Sequence, residues 1–212
     1  MKTVGLVAYL NVLDMRPSTR QCARDAKVVF GQAFGRNTYT DADLGKVRAI
    51  YEANGCDDYR TVEAMRLSFD PGEPNRLFGQ KAQKIAAQLI LPIVCQWEIL
   101  FGLDRYWFYA NRHRINGIWP PAKDPEKYFT SKNVIQLGKQ FIKSDESVYL
   151  VDHAGMTNRI VRMLAVEGIE TAAVWDSEVY DNESIQPHTR NRAAWLKREQ
   201  LVRVHHLIHG WV

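Results

Sequence analysis

Residues 147–175, SVYLVDHAGMTNRIVRMLAVEGIETAAVW, constrain the fold more tightly than any other part of the chain. Val148, Leu150 and Val151 make a short apolar run rich in β-branched residues, as a buried parallel strand requires. The run ends at Asp152-His153, and Gly155 loosens the turn that follows. Ile160, Val161, Met163, Leu164 and Val166 then recur at helical spacing. Gly168 stops that helix, and the apolar run 169–175 predicts the next strand. The pattern is a βαβ unit, whose right-handed crossover places Asp152, His153, Asn158 and Arg159 at the carboxyl edge of a parallel sheet. Open α/β sheets bind ligands at that edge.

The rest of the chain is consistent with one α/β domain over 1–212, a Rossmann-like three-layer sandwich with a mostly parallel central sheet and a helix-rich first half. At 212 residues and 46% hydrophobic, it can bury a core without disulfides or a metal. Cys22, Cys56 and Cys95 are far apart and lack metal-ligand spacing, which predicts reduced thiols in a cytoplasmic setting. The run at 1–15 is interrupted by Asn11 and Asp14 before it reaches membrane length, so it reads as a first strand over 3–10 and not as a membrane span. A net charge of +4 suits an anionic ligand but is too small to argue nucleic-acid binding.

Between these landmarks, Pro17, Ser18 and Thr19 suggest a helix start. Ala23, Ala26, Val29 and Phe30 carry helical spacing across 22–34. Further helices are expected over 40–54, 59–67 and 76–89, with a strong break at Asp70-Pro71-Gly72-Glu73-Pro74. The run 91–98, LPIVCQWE, predicts a strand, and the aromatic stretch 101–121 mixes helical and extended signals. A helix is expected over 130–143. Another is expected over 189–209, with Ala193, Ala194, Leu196, Leu201, Val204 and Ile208 as its apolar side.

Three polar clusters could carry chemistry. Gln96 and Glu98 fall at the end of a predicted strand, where apolar neighbours can raise a carboxyl pKa for acid–base work; the plain alternative is a structural Glu. Thr130, Ser131, Lys132 and Asn133 open a helix, where free amides and the helix dipole bind anions, although the same residues serve as ordinary caps. Asp152, His153, Asn158 and Arg159 form the third cluster, offering an acid–base imidazole and a guanidinium that can clamp an anion. The alternative there is a backbone-bonded His and an Arg paired with a carboxylate. His205 and His209 are spaced i,i+4 without an evident third ligand, which fits a solvated helix better than a metal site. Arg112-His113-Arg114 beside Trp107 and Tyr109 could grip phosphate or stack a base. The spacings of P-loop, dinucleotide, serine-hydrolase and zinc-protease motifs do not occur.

At these residues the chain resembles the SanA/YdcF-like family, a domain of unknown function with a Rossmann-like fold. Thr130-Ser131-Lys132-Asn133 is similar to the family's T-x-E-N helix start, with Lys132 in place of the acid. The run 148–159 is similar to its strand, V-T-S turn and H-x-x-R helix start, with His153 at the Ser position, Met156 at the His and Arg159 at the Arg. Arg198-Glu199 stands where the family's last helix often carries an Arg-Glu pair. The resemblance covers about the last ninety residues. It implies a link to cell-envelope physiology and a nucleotide-like cofactor such as S-adenosylmethionine.

The expectation is thus a protein that binds a nucleotide-like or phosphorylated anionic small molecule at the sheet's carboxyl edge, and could be an enzyme. Glu98 and His153 would do acid–base work. Gln96, Thr130, Ser131, Asn133, Asp152, Asn158 and Arg159 would bind the ligand. The alternative is a non-catalytic module whose basic last helix, from Arg190 to Arg203, meets nucleic acid or an acidic protein partner.

Overall fold

A computed structural model describes residues 23–35, 49, 63, 64, 66, 69–119, 129–184 and 186–208. Its centre is β1, Val28–Gly31, buried along its whole length. β1 pairs in parallel with β2, Ile93–Gln96, on one side and with β4, Val148–His153, on the other. β3, Ile115–Ile118, extends the sheet beyond β2, and β5, Thr171–Ser177, extends it beyond β4. The order is β3-β2-β1-β4-β5, five strands that all run parallel.

This placement of β1 corrects the helical reading of 22–34. Only Ala23–Asp25 forms a single 3-10 turn there, and Val28-Val29-Phe30 is strand. A run buried on both faces shows no alternation, so periodicity cannot separate a short central strand from a helix. The decision comes from β2 and β4, which offer ladder partners on both edges, while Val28 and Val29 suit a pleated backbone. The expected strand over 3–10 lies outside the described residues, as does nearly all of the expected helix 40–54.

The helices α1, Gly72–Leu89, α2, Trp97–Leu100, and α3, Arg105–Asn111, lie between β1 and β3 in the chain. α4, Ser131–Lys139, and α5, Thr157–Val166, follow β3 and β4, and α6, Arg192–Ile208, closes the chain. α1 starts one turn before the expected 76–89. Asp70 Oδ1 accepts the Gly72 amide at 2.9 Å, and Pro74 sits in the first turn, where a missing N–H costs nothing. α1 packs on β1, β2 and β4, α4 on β2 and β3, and α5 on β4 and β5, giving the helix–sheet–helix layers of a Rossmann-like sandwich. The stretch 101–121, ambiguous in sequence, resolves into α3, a 3-10 turn at Arg112–Arg114 and the edge strand β3. The βαβ unit expected from 147–175 is present as β4, α5 and β5.

α6 occupies the expected span but turns a different side inward. Trp195 and Glu199 are its buried residues among those described, whereas Leu196, Leu201 and Ile208 are exposed. No helix among the described residues is long and apolar enough to cross a membrane.

Close backbone approach joins α1 to the turn after α2. A methyl group at Gly79 would collide with the Ile99 carbonyl oxygen and come within 2.6 Å of Gly102 Cα. Those neighbours are backbone and cannot rotate away. Gly79→Ala is therefore expected to destabilise the protein by roughly 1–3 kcal/mol despite the better helix propensity of alanine. A denaturant midpoint at or above the wild-type value would contradict this close packing.

Candidate functional site

The strand order reverses between β1 and β4, since β2 and β3 lie to one side of β1 and β4 and β5 to the other. Chains leaving the two strands diverge at such a point and open a crevice beyond their carboxyl ends. The crevice is a cleft of about 440 Å³. Its walls come from the loop after β1 (Gln32 to Gly35), the start of α4 (Thr130 to Lys132), Arg159 on α5, and Arg198 and His205 on α6. No carboxylate among the described residues lines it.

The loop after β1 is held by three successive amides. Gln32 N–H donates to the Val151 carbonyl at 3.3 Å, Ala33 N–H to Gln96 Oε1 at 3.3 Å, and Phe34 N–H to Asn75 Oδ1 at 2.8 Å. At the start of α4, Thr130 and Asn133 form a capping box, with the Asn133 amide donating to Thr130 Oγ1 at 3.2 Å and the Thr130 amide to Asn133 Oδ1 at 3.3 Å. Ordinary capping and a cleft-facing helix start are thus both realised by the same residues. The amides of Ser131 and Lys132 belong to the first turn, where the helix supplies no acceptor.

Ser131 joins the two halves of the sheet. Its Oγ accepts from Gln32 Nε2 at 2.6 Å and from Arg159 Nη1 at 3.0 Å. Arg159 also donates from Nε to Glu199 Oε1 at 3.1 Å, with both side chains nearly enclosed at 10% and 3% exposure. One guanidinium thereby ties α5 to α4 and α6.

Beneath the cleft, Phe34 stacks on His153 with ring centroids 3.7 Å apart and planes 6° from parallel. Trp195 meets Phe34 edge-on at 4.9 Å, and Tyr180 meets His153 edge-on at 4.8 Å. The indole of Trp195 rests where a Gly155 side chain would stand, so the turn after β4 needs glycine for steric reasons. His153 Nδ1 accepts the Gly155 amide at 3.1 Å. Burial drives the His153 pKa down to about 4, against a weaker pull from the Val179 backbone, so the ring is neutral at physiological pH. Asp152 is fully buried, and burial raises its carboxyl well above the ordinary range; Asp176 and Glu199 add to the rise, while the His153 amide and Arg159 oppose it.

Of the residues singled out in sequence, Gln96, Thr130, Ser131, Lys132 and Arg159 line the cleft. Asn133 caps α4 behind them. Glu98 sits in the first turn of α2 at 1% exposure, behind Gln96, whose Nε2 donates to Glu98 Oε1 at 3.3 Å. Asp152 and His153 lie under the aromatic layer rather than on the cleft wall. Asn158 is half-buried beside Arg159, off the lining. Gln32, Phe34 and Trp195 were not anticipated, and Arg198, read as part of the basic last helix and of the Arg-Glu pair, was not assigned to the cleft. Gln32 and Phe34 were hidden by the helical reading of 22–34, and the outward Leu pattern of α6 concealed that Trp195 and Arg198 face the cleft. His205 and His188 both line the cleft, His209 lies outside the described residues, and among the described residues no group of His, Cys, Asp or Glu could hold a metal ion.

No family model matches the chain, and comparison with curated proteins and with solved structures gives no significant match.

Glu98 provides a pH test of this geometry. Burial raises its pKa to about 8, while the Gln96 amide and its own backbone N–H pull weakly downward. An unfolded glutamate titrates near 4.3, so across the interval between these values the native state holds a proton that the unfolded chain has released. Native stability attributable to Glu98 is therefore greatest below about 4.3 and falls as pH rises toward 8. Glu98→Gln mimics the protonated form. It should match wild type at about pH 5 and exceed it at about pH 9 in denaturant unfolding. A variant weaker than wild type at both would show that Glu98 works as a carboxylate.

Proposed function

We propose that this protein binds an anionic small molecule, nucleotide-like or phosphorylated, in the cleft at the β1/β4 switch point. The observation that carries the proposal is the convergence of the α4 start, Lys132, Arg159 and Arg198 on one cleft that no described carboxylate lines. Charge-assisted hydrogen bonds to such donors are the stronger ones available to a protein. The same balance favours a phosphorylated ligand over S-adenosylmethionine, whose cationic centres would find no counter-charge on the described walls. The SanA/YdcF-like resemblance belongs to the same proposal. It is supported by two of its motif positions lining the cleft, Thr130 at the helix start and Arg159, and by a third, Glu199, which holds Arg159.

Roles for Glu98 and His153 in catalysis would need access through Gln96 and through Phe34, which now cover them. Binding is the better supported part of the reading.

Arg159→Ala is a poor probe, because it also removes the ion pair that Arg159 makes with buried Glu199. Lys132→Met and Arg198→Met keep the apolar stems and remove the charges at more accessible positions. Inorganic phosphate and a nucleoside monophosphate should raise the wild-type melting temperature. The double variant should bind them at least about tenfold more weakly by calorimetry. Absence of any response to these anions, or an unchanged affinity in the double variant, would overturn the proposal. Affinity only for nucleic acid, falling steeply with salt, would move the function to the basic residues of α6.

A further inference from the structure

Gln32 has a hydrogen-bonding problem that the described residues do not solve. It is 4% exposed, lines the cleft, and has its backbone pinned to Val151. Its Nε2 is committed to Ser131 Oγ at 2.6 Å, which fixes the plane of the amide. Its Oε1 is buried with no partner among the described residues. Buried amide oxygens are almost always satisfied, and an orphan in a cleft marks the place of a ligand or a water. Exchanging the two ends of the amide does not help. Ser131 would then donate to Gln32, and Nε2 would become the orphan instead.

Ser131 sharpens the point. Gln32 and Arg159 both donate to its oxygen, so the hydroxyl hydrogen is directed away from both. The side chains around Ser131 therefore offer a ligand two different features within a few ångströms. One is the donor field of the Ser131 hydroxyl, the α4 start and Arg159, which suits an anionic oxygen. The other is the acceptor Gln32 Oε1, which an anion cannot satisfy and a neutral donor can.

We propose that Gln32 makes the cleft selective for a hydroxylated phosphate ester, a polyol or sugar phosphate whose hydroxyl donates to Gln32 Oε1 while its phosphate occupies the Ser131–Arg159 side. This rests on the anion-binding reading above and adds the requirement for a donor beside the charge. A hydroxyl is preferred to an ammonium group because no described carboxylate lines the cleft.

The test compares two ligands of equal charge and similar size: glycerol 3-phosphate and n-propyl phosphate, which lacks both hydroxyls. Wild-type protein should bind glycerol 3-phosphate about tenfold or more tightly in calorimetry. Gln32→Met, close in shape without either polar end, should bring the ratio near unity. Gln32→Glu, which keeps an acceptor and adds a charge, should weaken both ligands yet preserve the ratio. Gln32→Leu, likewise without a polar end, supplies the same comparison if the Met variant fails to fold. Equal wild-type affinity for the two esters, or a ratio that survives in Gln32→Met, overturns this inference alone. Failure of wild type to bind either ester overturns the anion-site reading and the inference with it.

Discussion

The interior pairing of β1 with both β2 and β4 is the constraint on which the site depends. Four residues carry two parallel ladders and have no face exposed to water. Gly31 has no room for a side chain, since a Cβ there would come within 2.9 Å of Ile99 Cδ1 and 3.1 Å of Cys95 Cβ. The chain that emerges has three consecutive amides taken by β4, by Gln96 of β2 and by Asn75 of α1. Three separately anchored acceptors leave the loop little freedom. Gln32 is thereby delivered to Ser131, and Phe34 to the face of His153.

The second organising feature is electrostatic. Buried Asp152 has Asp176 and Glu199 as like-charged neighbours and Arg159 as its cationic one, so carboxyl groups outnumber the guanidinium around it in a region of low dielectric. Such an arrangement is costly unless charge is matched or a carboxyl keeps its proton. Arg159 matches Glu199 directly, and the rise in the Asp152 pKa moves in the direction that relieves the remaining excess. His153 adds no positive charge near neutrality because burial keeps its ring unprotonated. The cleft-facing layer has the opposite sign, with Lys132 and Arg198 on its walls. An anion bound there would share Arg159 with Glu199. The same residue then serves the fold and the site, which makes it a poor place to separate the two by mutation.

How legible this was in sequence varied by element, for identifiable reasons. The unit β4–α5–β5 could be read because its strands are bounded by polar turns and its helix is amphipathic, with Ile160 and Leu164 inward. The capping box at Thr130 and Asn133 was equally plain, because capping depends on residues three apart in one turn. β1 was not legible, since the choice between strand and helix for Val28-Val29-Phe30 is made by partners more than sixty residues away. The inward side of α6 was also hidden. Its hydrophobic residues suggested a buried Leu face, yet Trp195 and Glu199 turn inward to meet an aromatic stack and a guanidinium supplied by other elements.

Local chemistry in the chain was sufficient to specify an α/β architecture, a crossover with polar residues at its carboxyl edge, and a capped helix facing that edge. These follow from periodicity, turn residues and caps, which act over a few residues. Which of those polar residues reach the cleft was settled only by tertiary packing. Glu98 and His153 carry suitable chemistry, but Gln96 and Phe34 cover them. Gln32 carries no motif at all and reaches the cleft because β1 is held between two strands brought together from distant parts of the chain. Access to a cleft depends on what packs over each side chain, and residues far apart in sequence supply that cover.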